Sequence, residues 1–298
     1  MQQVIQRVSA ALFALVPVLH VGHSAALDVL DDLGNRLHLA APPARIVSLA
    51  PGATEMLFAA GAGERIVGTS EYSDEPAAAR RIPRIGDSNA VDLERLLLLH
   101  PDVVVVWPGG NSAALIEKVR RLGLPMYFQR ADRLGDLAPS LLRLGQLAGT
   151  QAVAEATATA LESRIAGLRR DYGARAPVRV MMEVWNNPLY TIGGPQLMTD
   201  ALQACGALNV FGDLPELGPV VQLESVIARD PDVIVALASD QAQEWLAVWR
   251  AFPMLKAVKR GNLVAFGNKA LSRLGPSAVQ ATADLCGVIE GARRRLHP

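Results

Sequence analysis

Two patterns of apolar and polar positions occur twice in this chain. Residues 93–107 read LERLLLLHPDVVVVW and residues 223–237 read LESVIARDPDVIVAL, with Leu-Glu, Pro-Asp and two Val shared at a constant offset of 130. Each copy predicts a helix, a Pro-Asp turn and then a strand. The Val-rich runs are too short for helices and lack polar alternation, as parallel strands covered on both faces do. A second echo precedes each copy: TEMLFAAG at 54–61 and TDALQACG at 199–206. In both, Thr is the expected N-cap, an acid follows in the first turn, and Gly takes the left-handed position after the last turn. Strands are expected ahead of these helices at 45–49 and 178–184, with others at 66–68 and 126–128. Leu115, Val119 and Leu122 place a helix before the last of these.

Between the copies the period changes. Leu134, Leu137, Leu141, Leu144 and Leu147 recur every three or four residues, and an Ala-rich helical stretch follows, ending near Asp171-Tyr172-Gly173. Ala, Leu, Glu and Arg are strong helix formers. The expected fold is α/β, with two similar Rossmann-like lobes joined by a long connecting α-helix and a ligand cleft between the lobes. The boundaries are residues 27–132 for the first lobe, 133–176 for the connector and 177–298 for the second lobe. A helical connector is stiff, so little lobe closure is expected.

Residues 1–26 have a different character. Arg7 precedes an apolar run at 8–19, and the small residues Ser24-Ala25-Ala26 follow. This is the order of a secretory signal peptide, and the run falls short of the ~20 residues of a membrane span. No Cys lies at the expected cleavage site, so a lipid anchor is not expected. Export to an oxidising compartment favours one disulfide between Cys205 and Cys286, the chain's 2 cysteines. His20, His23, His38, His100 and His297 are scattered singly, which disfavours an imidazole metal site. Lys and Arg number 29, as do Asp and Glu, so no charge excess points to nucleic acid.

Catalytic constellations are hard to assemble. The nucleophile-elbow, phosphate-loop and HExxH patterns are missing. An exported hydrolase using Tyr72, Asp74 or Glu183 has no nameable base, nucleophile and orienting group. Aromatic residues make up 5% of the chain, yet Tyr72, Trp107, Trp185 and Tyr190 fall in loops after expected strands, where α/β folds place ligands. Either they plug the lobe cores, or they offer flat apolar walls to a large amphipathic ligand. Trp245 and Trp249, at helical spacing with Leu246 and Phe252, are expected to pack. Glu94 and Glu224 open mirrored helices. There they either complement the helix dipole, for about 0.3–1 kcal/mol, or form two acidic knobs for a membrane partner.

The segments RIVSLAPGATE at 45–55, EYSD at 71–74, Leu93-Glu94-Arg95 with Pro101-Asp102, and WPGGN at 107–111 resemble the cobalamin branch of the helical-backbone class of periplasmic substrate-binding proteins. NPLYT at 187–191 and the stretch from Cys205-Gly206 to Asn209-Val210-Phe211 do too. The resemblance implies a non-enzymatic, monomeric periplasmic receptor without a cofactor of its own, which carries cobalamin or a related corrinoid to the permease dimer of an ABC importer. It implies that Tyr72, Trp107 and Tyr190 face the corrin ring and that Arg273 is a polar contact. It further implies that Glu94 and Glu224 dock on permease arginines and that Cys205 pairs with Cys286. The chain departs from that branch at Ser88, Gly218 and Ala270, where further Trp would stand, and at Lys269 in place of Asp; Trp185 is expected to replace part of the aromatic surface. Cobinamide, haem or a ferric siderophore are the alternative ligands. For haem, only Tyr72 or Tyr190 is placed to ligate the iron, because His100 lies at the strand end away from the cleft.

Overall fold

The computed structural model describes residues 26–296 except 89, 239 and 274. The expected leader lies outside the described residues save for Ala26. A hairpin of β1 (Leu27–Leu30) and β2 (Arg36–Leu39) opens the described chain. The first lobe then runs β3 (Ile46–Ser48), α1 (Pro51–Ala59), β4 (Ile66–Thr69), α2 (Leu93–Leu98), β5 (Val103–Val106), α3 (Ala113–Arg121) and β6 (Met126–Phe128). Its sheet is parallel, in the order β4-β3-β5-β6. Two helices follow, α4 (Leu137–Ala148) and α5 (Gln151–Tyr172).

The second lobe repeats the plan. It runs β7 (Val178–Glu183), a short hairpin of β8 (Trp185–Asn186) and β9 (Leu189–Tyr190), α6 (Leu197–Ala204), β10 (Ala207–Asn209), α7 (Leu223–Arg229) and β11 (Val233–Ala236). Then come α8 (Ala242–Trp249), α9 (Lys256–Lys259), β12 (Leu263–Ala265), α10 (Ala270–Arg273) and α11 (Ser277–Leu296). The parallel order β10-β7-β11-β12 is that of the first lobe, strand for strand. Both halves of the longer echo land on equivalent elements, α2–β5 and α7–β11. In each sheet the chain reverses its winding beside the first strand, creating a crevice between β3 and β5 and another between β7 and β11.

Strand alternation explains why these runs are apolar throughout. Val103 and Val105 of β5 enter a central core, while Val104 and Val106 enter an outer one. On β11, Val233 and Val235 face the same central core and Ile234 and Ala236 the opposite side. The central core runs without a break through Ala154, Ala158, Leu161 and Ile165 of α5, so both sheets pack onto one connector. That connector is a pair of packed helices, with the chain turning at Gly149 (φ 67), and its longer member spans 22 residues.

One local expectation was wrong. Thr54 and Thr199 are not N-caps, because α1 starts at Pro51 after Ala50 and α6 starts at Leu197 after Gln196; for the same reason Glu55 falls beyond the first turn of α1, while Asp200 keeps its place in that of α6. Pro51 carries a preset helical φ and no N–H, which suits the first turn. Buried Thr54 instead bonds to the Ser48 hydroxyl at 2.9 Å and the Thr69 hydroxyl at 2.8 Å, tying α1 to two strands. Thr199 donates to the Gly193 carbonyl at 2.6 Å. The glycines behave as expected, Gly61 at φ 84 and Gly206 at φ 66. Cys205 and Cys286 form a buried disulfide that fastens the end of α6 to α11, with Cα atoms 4.7 Å apart.

Candidate ligand-binding cleft

The C-terminal ends of both sheets face one another across a cleft of three adjoining cavities, ≈ 580, ≈ 280 and ≈ 350 Å³ in volume. Ser272 of α10 lines all three, which marks them as parts of one space. The first-lobe wall is built from Leu49, Ser70, Tyr72, Ser88 and Trp107. Val184, Trp185, Leu237, Trp245 and Phe266 form the second-lobe wall. Lys269 and Arg273 border the cleft from α10 and the loop before it.

Trp107 follows β5 directly and is held by the residues after it. The Asn111 carboxamide oxygen accepts from the Trp107 N–H at 2.8 Å, and its amide group donates to the Leu49 carbonyl at 2.9 Å. One buried side chain thus joins the loops after β3 and β5 at the crevice between them. Gly110 lets the indole fold back over this turn, since a Cβ there would lie 1.9 Å from the ring. Tyr72 stands at the cleft rim, 75% exposed and at φ 64, a left-handed conformation that a bulky residue rarely adopts. The nearby Asp74 carboxylate is paired with Arg84 at 3.1 Å.

On the facing wall Trp185 is 51% exposed, and its N–H donates to the Asn187 carbonyl at 2.9 Å. It meets Trp245 edge-on, with centroids 5.8 Å apart and rings inclined at 71°. Trp249 is a core residue whose indole N–H donates to the buried Glu183 carboxylate at 2.8 Å. Burial pushes the Glu183 carboxyl up from its ordinary value, and that hydrogen bond only partly offsets the rise. Glu55 of α1 is also pushed up, by burial first; hydrogen bonds from Ser277 and the charge of Arg273 oppose the shift.

The structure therefore gathers Tyr72, Trp107, Trp185 and Arg273 around one cleft. Tyr190 lies apart: it is half-buried in β9, opposite Trp185 across the short hairpin, and lines none of the three cavities. Ser88, Gly218 and Lys269 all line the cleft, so those departures from the resembled branch fall on its walls, while Ala270 borders a neighbouring cavity. Sequence reasoning missed Ser272 and Phe266, and read Trp245 as packing only. Its periodicity with Leu246 and Trp249 marks a buried helix face but not which edge of that face meets a cavity. Glu94 and Glu224 are exposed, each the second residue of its helix. Helices in these lobes run antiparallel to the strands, so both glutamates lie toward the cleft end. His100, exposed in the turn before β5, is at the opposite end.

Two similar parallel α/β lobes on a helical connector, with a ligand-sized cleft between them, define a two-lobed binding protein. The chain belongs to the periplasmic binding protein family, whose model matches residues 46–270. A vitamin B12-binding protein of Vibrio cholerae is 30% identical over 255 residues, 85% of this chain and 92% of that protein. The crystal structure of the periplasmic vitamin B12-binding protein BtuF of Vibrio cholerae superposes with a TM-score of 0.78 at 30% identity, covering 85% of this chain and 98% of that one. The periplasmic heme-binding protein RhuT of Roseiflexus sp. RS-1 shares the fold, with a TM-score of 0.72 at 24% identity over 83% of this chain and 98% of its own.

Proposed function

We propose that this protein captures cobalamin or a closely related corrinoid in the periplasm and hands it to the permease dimer of an ABC importer. The observation that carries this reading is the cleft itself: Tyr72 and Trp107 on one wall and Trp185 on the other, with Arg273 at the edge. Flat apolar surfaces on both sides suit a broad ring, and a few polar groups fix its orientation. The relatives that bind vitamin B12 support the same reading. Lobes at residues 27–132 and 177–298, a connector at 133–176 and a cleaved leader at 1–26 complete it, with the monomer as the working unit. Capture needs no covalent step and no resident cofactor. Glu94 and Glu224, one on each lobe, are the proposed docking points for the two permease subunits. Titration calorimetry against cyanocobalamin, cobinamide and haemin tests the ligand: the expected result is tight binding of a corrinoid and weaker binding of haemin. Haemin binding more tightly than both corrinoids would overturn it.

A further inference from the structure

Glu55 is 6% exposed and is surrounded on α1 by buried residues from Gly52 to Leu57. An ionised carboxylate in such a place is costly unless charge and hydrogen bonds compensate it. Among the described residues, its hydrogen bonds and its opposing charge come from the other lobe. Oε2 accepts from the Ser277 hydroxyl at 2.5 Å and from the Ser277 backbone N–H at 3.3 Å, at the start of the 20-residue α11. Oε1 makes no hydrogen bond among the described residues and has the Arg273 guanidinium 3.9 Å away. Gly275, between these partners, packs directly on the carboxylate: a Cβ there would lie 2.8 Å from Oε2.

Arg273 is the other end of this arrangement. Its side chain, 19% exposed, lines both the ligand cleft and a separate cavity of ≈ 740 Å³ that also borders Glu55 and Glu75. Among the described residues its only ion pair is with Glu55. The other charged groups around that cavity are Glu75, which pairs with Arg80 at 3.5 Å, and Lys269. We propose that Glu55 is the positioning residue for Arg273: a buried carboxylate of the first lobe that holds the guanidinium of the second lobe at the cleft edge. Arg273 then keeps its place relative to the Tyr72 and Trp107 wall rather than only to its own helix. Its orientation is fixed before any ligand arrives, which lowers the ordering cost of binding. The effect on ligand affinity rests on the proposed capture of a corrinoid; the holding of Arg273 does not.

Glu55→Gln preserves shape and an acceptor for Ser277 while removing the charge. NMR relaxation of the Arg273 side-chain N–H in the ligand-free protein reads the inference directly. The expected result is an ordered guanidinium in the native chain and a mobile one in the variant. Affinity for cyanocobalamin should drop about tenfold with the melting temperature little changed. As pH is lowered and Glu55 takes up its proton, the native affinity should weaken, and that of Glu55→Gln should stay flat. Ser277→Ala, which removes the hydroxyl hydrogen bond and keeps the backbone N–H and the charge, should loosen Arg273 by a smaller amount, and it carries the test if Glu55→Gln does not fold. An equally ordered Arg273 in the native chain and the variants overturns the inference and reduces Glu55 to a cap for α11. Loosening of Arg273 in a protein that binds no corrinoid would instead leave the inference standing and sink the proposed ligand.

Discussion

Tyr72 is held in a left-handed backbone conformation at the cleft rim, where its ring is largely exposed. For a non-glycine residue this costs about 1 kcal/mol, and the ring gains nothing from burial in the protein alone. Replacement by glycine should therefore leave stability equal or up to about 1 kcal/mol higher, while ligand affinity falls about tenfold through loss of the aromatic face. Urea denaturation and ligand titration of Tyr72→Gly check the two halves, and a parallel loss of both would contradict the argument. Glu183 illustrates the opposite case, a carboxyl kept inside. Its carboxyl is raised above 4.5, mainly by burial. The folded protein thus binds this proton more tightly than the unfolded chain does, and stability declines as pH rises from about 4.5 through the folded value. Glu183→Gln should flatten that decline, which urea midpoints measured between pH 4 and 7 would reveal.

At the scale of elements, the disulfide closes a loop with a sequence separation of 81 between α6 and α11. Removing it with Cys205→Ser and Cys286→Ser should cost about 2–4 kcal/mol, read from denaturation curves of the double variant; unchanged stability would contradict this. Much of this level was legible beforehand. The echo at 93–107 and 223–237 marked α2–β5 and α7–β11, because a parallel strand buried on both faces must be apolar throughout. Thr54 and Thr199 misled because a buried hydroxyl that ties a helix to its sheet has the same local pattern as a cap. The hairpins β1–β2 and β8–β9 escaped notice for lack of length. The cleft was half legible: Trp107 and Tyr72 lie just after strands that the apolar pattern marks, whereas Phe266 follows β12, a three-residue strand without such a pattern, and Ser272 sits on the four-residue α10. Glu55 read as a first-turn acid, since its hydrogen-bond partner Ser277 lies 222 residues away.

The whole molecule sets the scale for docking. Glu94 and Glu224 lie one per lobe on equivalent helices, so an interface built on both senses the spacing between the lobes. Glu94→Arg and Glu224→Arg should each impair uptake of the ligand by cells that carry the importer, and leave binding to the purified protein unchanged. Normal uptake by both variants would dismiss the docking proposal. The continuous core through α5 has a further bearing on this step. Because both sheets are built onto one helix pair, the lobes are expected to have little freedom to report whether the cleft is full. On the proposed docking, an empty receptor would then offer the permease nearly the same face as a loaded one, and the two would compete for it. Uptake would accordingly peak and then decline as the receptor outnumbers its ligand, and a cell would gain from keeping this protein scarce.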